Sequence, residues 1–251
     1  MRTFYLFFCL IIGISGYAQK MNKLGKIVID ELPKAPDYWV IKNGLNYRMV
    51  YKDTINLEGN VFYKLPNAII ASEETADDRP DKINYYDTTG RLIVSVISPR
   101  IINLKISEKG NYAAFYNQKN IIQINLHNFS LDTLFGSYSF AFTNDEKLVY
   151  YDSEERVVVY DNQVYSFEDF PIMFLDFNST ILVFTSEKIL KLTGSGFIPV
   201  REFHGSFYDA MIINHILYFV DKSVKRNDIT YRLYKTTDLV NYSIVEISDY
   251  E

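Results

Sequence analysis

A repeat of about 35 residues constrains this chain more than any other feature, because self-similarity at a fixed period decides a fold before single strands do. The apolar runs NYAAFYNQKNIIQINL, KLVYYDSEERVVVYD, TILVFTSEKILKLTG and HILYFVDK begin at Asn111, Lys147, Thr180 and His215. Each unit has the same order. An extended segment (Ile102 to Ser107, Tyr138 to Thr143, Ile172 to Phe177, Phe207 to Ile212) precedes a polar turn and then the apolar run. A tight polar turn follows at Gln118-Lys119, Ser153-Glu154-Glu155 or Ser186-Glu187, then a third strand and a weaker fourth, such as Gln163 to Ser166 or Ile198 to Glu202. Four strands per unit is the grammar of a β-propeller blade. No stretch beyond the first 18 residues keeps apolar residues at helical spacing for three turns, and 21 Tyr with 18 Phe suit pleated, half-buried strands.

The reading is therefore all-β, a propeller of five four-stranded blades within residues 46–251. Residues 46–100 would make one blade with an enlarged turn at Ala71 to Lys82. Residues 19–45 hold two short strand candidates, Lys26 to Ile29 and Tyr38 to Ile41. One of them completes the last blade, or both belong to a sixth, because a propeller closes to hide its sheet edges. A β-sandwich is the competing fold, and it would make the repeat accidental.

The N-terminus reads as an export signal spanning residues 1–18. Arg2 is the only charge before Lys20, Phe4 to Ile12 is apolar, and Gly16-Tyr17-Ala18 supplies a small-x-small cleavage site. The uncharged run is shorter than the ~20 apolar residues of a spanning helix. Cleavage would remove Cys9, the only cysteine, and with it disulfides, thiolate metal sites and cysteine nucleophiles. The expected location is periplasmic, outer-surface or secreted, with no transmembrane segment after cleavage. The formal charge of -5, with no Lys/Arg cluster, excludes a phosphate-driven nucleic-acid role.

The hairpin INYYDTTGRLIVSV (Ile83 to Val96) followed by NLKISEKGNYAAFY (Asn103 to Tyr116) resembles the WD-repeat-like bacterial propellers. In those families such a hairpin closes one blade and the Ser-x-x-Gly turn opens the next. The Trp-Asp dipeptide of the eukaryotic repeat is absent, so that family's partners do not carry over. YRLYKTTDLVNYSIVEI (Tyr231 to Ile247) resembles the last-strand motif of arabinanase-type glycoside hydrolases and the Asp-box of sialidases, with Tyr242 where those families have Trp. That motif is a structural turn and implies no catalysis.

Catalytic signals are sparse. His127, His204 and His215 share no ligand spacing, and His215 reads as a structural residue opening an apolar strand. No nucleophile elbow, phosphate-binding loop or dinucleotide fingerprint occurs, and Gly194-Ser195-Gly196 reads as a hairpin turn. No cofactor is expected. The one calcium candidate is the loop 72–82, with Glu73, Glu74, Asp77, Asp78 and Asp81. Blade register places Arg100, Ser137, Glu168, Asp169 and His204 on the face where outer-to-inner connections meet the second-to-third-strand turns. Of these, Arg100, Glu168, Asp169 and His204 are the ligand-face candidates. The expected function is an exported, non-catalytic module binding a protein or glycan. The alternative is a glycan-active propeller using Glu168 with the inner-strand acids Asp176 and Asp209.

Overall fold

The computed structural model describes residues 38–43, 46–51, 55–73, 75, 79–225 and 228–245. The leader 1–18, the strand candidate Lys26 to Ile29 and the acids Glu74, Asp77 and Asp78 lie outside them. The described residues are strands and turns, with no helix among them and hence none long and apolar enough to cross a membrane. They fall into two compact units. One runs to Leu104 and includes Phe115–Gln118; the other comprises Lys105–Ala114 and the chain from Lys119.

Among the described residues, six antiparallel sheets follow one another in sequence. The first has three strands, β1 (Tyr38–Asn43), β2 (Asn46–Tyr51) and β3 (Ile55–Gly59). The five others have four strands each. They are β4 (Val61–Lys64), β5 (Ala68–Glu73), β6 (Asp81–Asp87) and β7 (Leu92–Ser98); β8 (Ile102–Ile106), β9 (Tyr112–Tyr116), β10 (Asn120–Asn125) and β11 (Leu131–Phe135); and β12 (Phe140–Phe142), β13 (Leu148–Asp152), β14 (Val157–Tyr160) and β15 (Gln163–Ser166). Two more follow: β16 (Met173–Phe177), β17 (Thr180–Phe184), β18 (Lys188–Thr193) and β19 (Gly196–Glu202); then β20 (Ser206–Ile213), β21 (Ile216–Lys225), β22 (Asp228–Thr236) and β23 (Ser243–Val245).

Three expectations need correction. The first four-stranded sheet is Val61 to Ser98 rather than 46–100, because β2 pairs with β1 in full register from Tyr38↔Tyr51 to Asn43↔Asn46. Second, the last sheet takes its fourth strand from β23, so among the described residues no N-terminal strand completes it. Third, His215 does not open a strand. With Asn214 it forms a two-residue turn at φ 48° and 62°, joining Ile213 to its partner Ile216. Asp161-Asn162 and Asn178-Ser179 make the same turn, whose positive φ values match the twist of the strands they join. Asn tolerates that left-handed region better than most residues.

Within the second unit, the β16–β19 sheet buries both of its faces. Phe174, Ile181, Val183 and Leu190 join a core with Val149, Tyr151, Val158 and Phe167 of the β12–β15 sheet and the loop after it. The alternate residues Phe177, Leu182, Phe184 and Ile189 join a second core with Phe207, Ala210, Leu217, Phe219 and Tyr234 of the β20–β23 sheet. Strand period two assigns odd and even positions to opposite faces. A middle sheet buried on both sides by different sheets is incompatible with a two-layer sandwich.

The inter-sheet cores make a quantitative prediction. Leu182→Ala, at a fully buried position, should cost roughly 3 kcal/mol in urea unfolding. Ile198→Ser, on the exposed outer strand β19, should change stability by less than about 0.5 kcal/mol. Equal effects would contradict burial between sheets as the source of stability.

Candidate functional site

Backbone hydrogen bonds gather the connections of the second unit. Ile172 N–H donates to Phe184 O (2.7 Å), Phe203 N–H to Glu187 O (2.8 Å) and Phe207 N–H to Ser186 O (2.8 Å). The β15–β16 and β19–β20 connections therefore lie beside the β17–β18 turn, as the register reading requires. Asp169 of the first connection meets Lys188 at 2.9 Å, and the hydrogen bond to Asp169 raises the lysine's pKa against the opposing effect of burial.

Beside this ion pair opens a cleft of about 930 Å³, lined by Gln163–Asp169 on one side and by Lys188, Leu190 and Gly194–Phe197 on the other. Its aromatic lining is ordered by edge contacts. The rings of Phe167 and Phe197 are 4.6 Å apart and those of Tyr165 and Phe197 6.1 Å. Strand β15 is the outer edge of its sheet. The tight turn at Asp161-Asn162 makes Tyr160 and Gln163 the hydrogen-bonded pair. Pairs in an antiparallel ladder alternate, so the main-chain groups of Val164 and Ser166 face away from β14. The Gly194-Ser195 turn was legible in the sequence, and Gly194 has open space where a Cβ would stand.

Glu168 and Asp169 both line the cleft, Asp169 being spent on Lys188 and Glu168 exposed. His204 is exposed outside that lining, and its backbone N–H donates to Asp221 Oδ2 (3.2 Å). Ser137 is buried, with its Oγ accepting from Ser139 N–H. Arg100 belongs to the first unit, where its Nη1 donates to Thr75 O (2.9 Å) and lies 3.6 Å from Asp81 Oδ1. Asp81 is itself buried and accepts from Thr75 N–H and Ile101 N–H, both at 2.8 Å. Glu73 accepts from Asn84 Nδ2. In the calcium candidate loop, both described acids thus hold protein groups. Asp176 accepts from Asn144 N–H (2.8 Å), and Asp209 is buried with Oδ1 accepting from its neighbour Ala210 N–H. Asp176 sits near the far end of β16 from the loop that carries Glu168.

The Thr236 to Tyr242 turn is a closed network. Asp238 Oδ1 accepts from Val240 N–H (2.9 Å) and Asn241 N–H (2.8 Å), while Oδ2 accepts from Asn241 Nδ2 (2.7 Å). These bonds, led by the Asn241 backbone, lower the Asp238 pKa to about 2. Tyr242 O–H donates to Leu239 O, and its ring packs edge-on against Phe219. Between Tyr242 and Tyr234 lies the guanidinium of Arg201 from β19, with Cζ 4.4 Å from each ring centroid. The likeness to an Asp-box thus concerns a turn that locks β22 to β23. The arginine clamp had no signal in the sequence, because it depends on a neighbouring sheet.

No family model matches the chain, and no curated protein sequence does. Among solved structures it is similar to the dihydro-heme d1 dehydrogenase NirN in complex with DHE, at 11% identity and TM-score 0.57, over 83% of this chain and 55% of that one. It is also similar to Kluyveromyces lactis Hsv2p, at 13% identity and TM-score 0.54, over 79% of this chain and 70% of that one. A third is the extracellular domain of the putative hybrid two-component system BT3049 from B. thetaiotaomicron, at 13% identity and TM-score 0.52, over 85% of this chain and 33% of that one. The chain spans about half the length of NirN and a third of the BT3049 domain. At such identities the likeness concerns fold alone. With five four-stranded antiparallel sheets, the fold is all-β and that of a five-bladed β-propeller.

The Asp238 network sets the sign of an acid dependence. A carboxyl whose folded pKa is depressed contributes stability that is present above its unfolded value of 3.8 and lost as pH falls through about 2. Stability of the native chain should therefore decline across that window. Asp238→Asn should be less stable at neutral pH and should lack this part of the decline. An identical acid limb in both proteins, measured by urea unfolding at each pH, would contradict the assignment.

Proposed function

We propose that the chain is an exported, non-catalytic propeller of the bacterial envelope, in the periplasm, at the outer surface or secreted, and that it binds an extended segment of a partner protein in the cleft beside β15. The observation that carries this reading is the pairing of a short outer-strand edge with a cavity. The outward main-chain groups of Val164 and Ser166 can take an added strand, as in other edge-binding modules. The edges of Tyr165, Phe167 and Phe197, with the Asp169–Lys188 pair, supply apolar and polar contacts beside it. Of the acids that a hydrolytic reading would use, Asp176 accepts from Asn144 N–H and Asp209 from Ala210 N–H, Asp169 holds Lys188, and Glu168 stands in the cleft without either of these inner-strand acids beside it in the lining. The leader pattern from Arg2 to Ala18 supports export.

Two measurements test it. Expressed from its own N-terminus in a bacterial host, the chain should appear outside the cytoplasm with Gln19 as its first residue; retention inside with the leader intact overturns export. Used as bait in an envelope extract, it should capture a protein at micromolar concentration. Val164→Pro, which removes an outward N–H on an edge strand, should weaken that capture at least ~10-fold with thermal unfolding little changed. Capture insensitive to this substitution overturns the cleft as the site.

A further inference from the structure

Strand edges invite pairing, and proteins blunt them with charge, proline or shortness. The outer strands of four blades follow that practice. Strand β11 carries Asp132; β15 has only four residues and β23 only three; β19 carries Pro199, Arg201 and Glu202. Strand β7 does not. Its seven residues, Leu-Ile-Val-Ser-Val-Ile-Ser, contain no charge and no proline, and among the described residues only its β6 side is paired. From Ile93 to Ile97 the exposure alternates, with Ile93 at 49% and Ile97 at 62% flanking exposed Ser95 on one face, while Val94 and Val96 are half-buried on the other. A bulge at the hairpin end, where Tyr85 pairs Val94 but Tyr86 pairs Leu92, leaves this alternation intact.

The five residues Ile93 to Ile97 read the same in both directions about Ser95. We infer that β7 pairs with β7 of a second copy of this chain, antiparallel about a two-fold axis at Ser95. In that register Ile93 faces Ile97 of the other copy, Val94 faces Val96, and Ser95 faces itself. The two off-axis contacts each occur twice and the Ser95 contact lies on the axis, as an isologous interface requires. Exposed isoleucines meet isoleucines, and the strand sets no like charges against each other. The ladder ends where it should, because Arg91 would stand opposite Pro99, which has no N–H to give. A seven-residue strand pair is smaller than a standard interface of ~1,600 Å², so the dimer should form and dissociate with protein concentration.

Sedimentation of the chain from about 1 to about 100 µM should show the mass rising toward twice that of one chain. Ser95→Lys and Ser95→Glu each put like charges across the axis and should stay monomeric. An equimolar mixture of the two should dimerise again, since opposite charges then face each other. Ser95→Ala, which loses only the hydroxyl donated to Asn84 Oδ1, should dimerise like the native chain. In a Cys9→Ser background, Ser95→Cys should form a disulfide-linked dimer on mild oxidation, because facing Cα atoms are ~4.5–5.5 Å apart in such ladders. Leu131→Cys on the exposed strand β11 should cross-link far more slowly. A chain that stays monomeric over the whole range overturns the inference. So does a dimer that persists in both charged variants, or Ser95→Cys cross-linking no faster than Leu131→Cys.

Discussion

The burial of one sheet between two others is the constraint on which the rest of the second unit depends. Strand β17 shows it most plainly: Ile181 and Val183 enter one core while Leu182 and Phe184 enter the next. A strand with both faces buried cannot use the apolar–polar alternation of a surface sheet, which is why Ile181 to Phe184 is a continuous apolar run. Neither of these cores exists without a neighbour. Stability is therefore held between sheets as much as within them, and the loops inherit their positions from that packing.

Hydrogen bonds at the turns then carry the arrangement outward to the surface. Glu146, in the β12–β13 turn, accepts from Ser107 Oγ (2.7 Å) and from Asn111 Nδ2, tying that turn to the preceding one. Burial opposes ionisation of Glu146, but the bonds from Ser107 and Asn111 outweigh it and hold the carboxyl below its usual range. His127 contacts Asn111 Oδ1 at 2.7 Å, extending the same network. The Asp238 turn does comparable work within the last sheet, and the Tyr234–Arg201–Tyr242 stack does it between the last two sheets. Several polar groups that look chemically available in the sequence are thus occupied in holding turns.

Much of the fold was legible because it is periodic. The span Gln163 to Ser166 is β15 itself, and the turns at Gln118-Lys119 and Ser186-Glu187 fall where the repeat put them. In the N-terminal sheet the strand candidate Tyr38 to Ile41 falls in β1, but its pairing with β2 was not foreseen, because residues 46–51 were counted into the following blade by the repeat. The site was less legible. Register brought Glu168 and Asp169 beside the β17–β18 turn, since that follows from strand order. It did not reveal that Lys188 would neutralise Asp169, or that β15 and the Gly194-Ser195 turn would bound a cleft, because those depend on how two sheets lean together. Arg100 and Asp81 illustrate the same limit: charge density suggested ligands, whereas their partners are loop backbone amides and carbonyls.

Amide hydrogen exchange tests the central account most directly. If mutual burial between sheets holds the second unit together, the amides of β13, β17 and β21 should exchange only through a shared opening, with equal free energies that fall together as denaturant is added. Separate opening free energies for the three strands, with β17 exchanging while β13 and β21 stay protected, would contradict it.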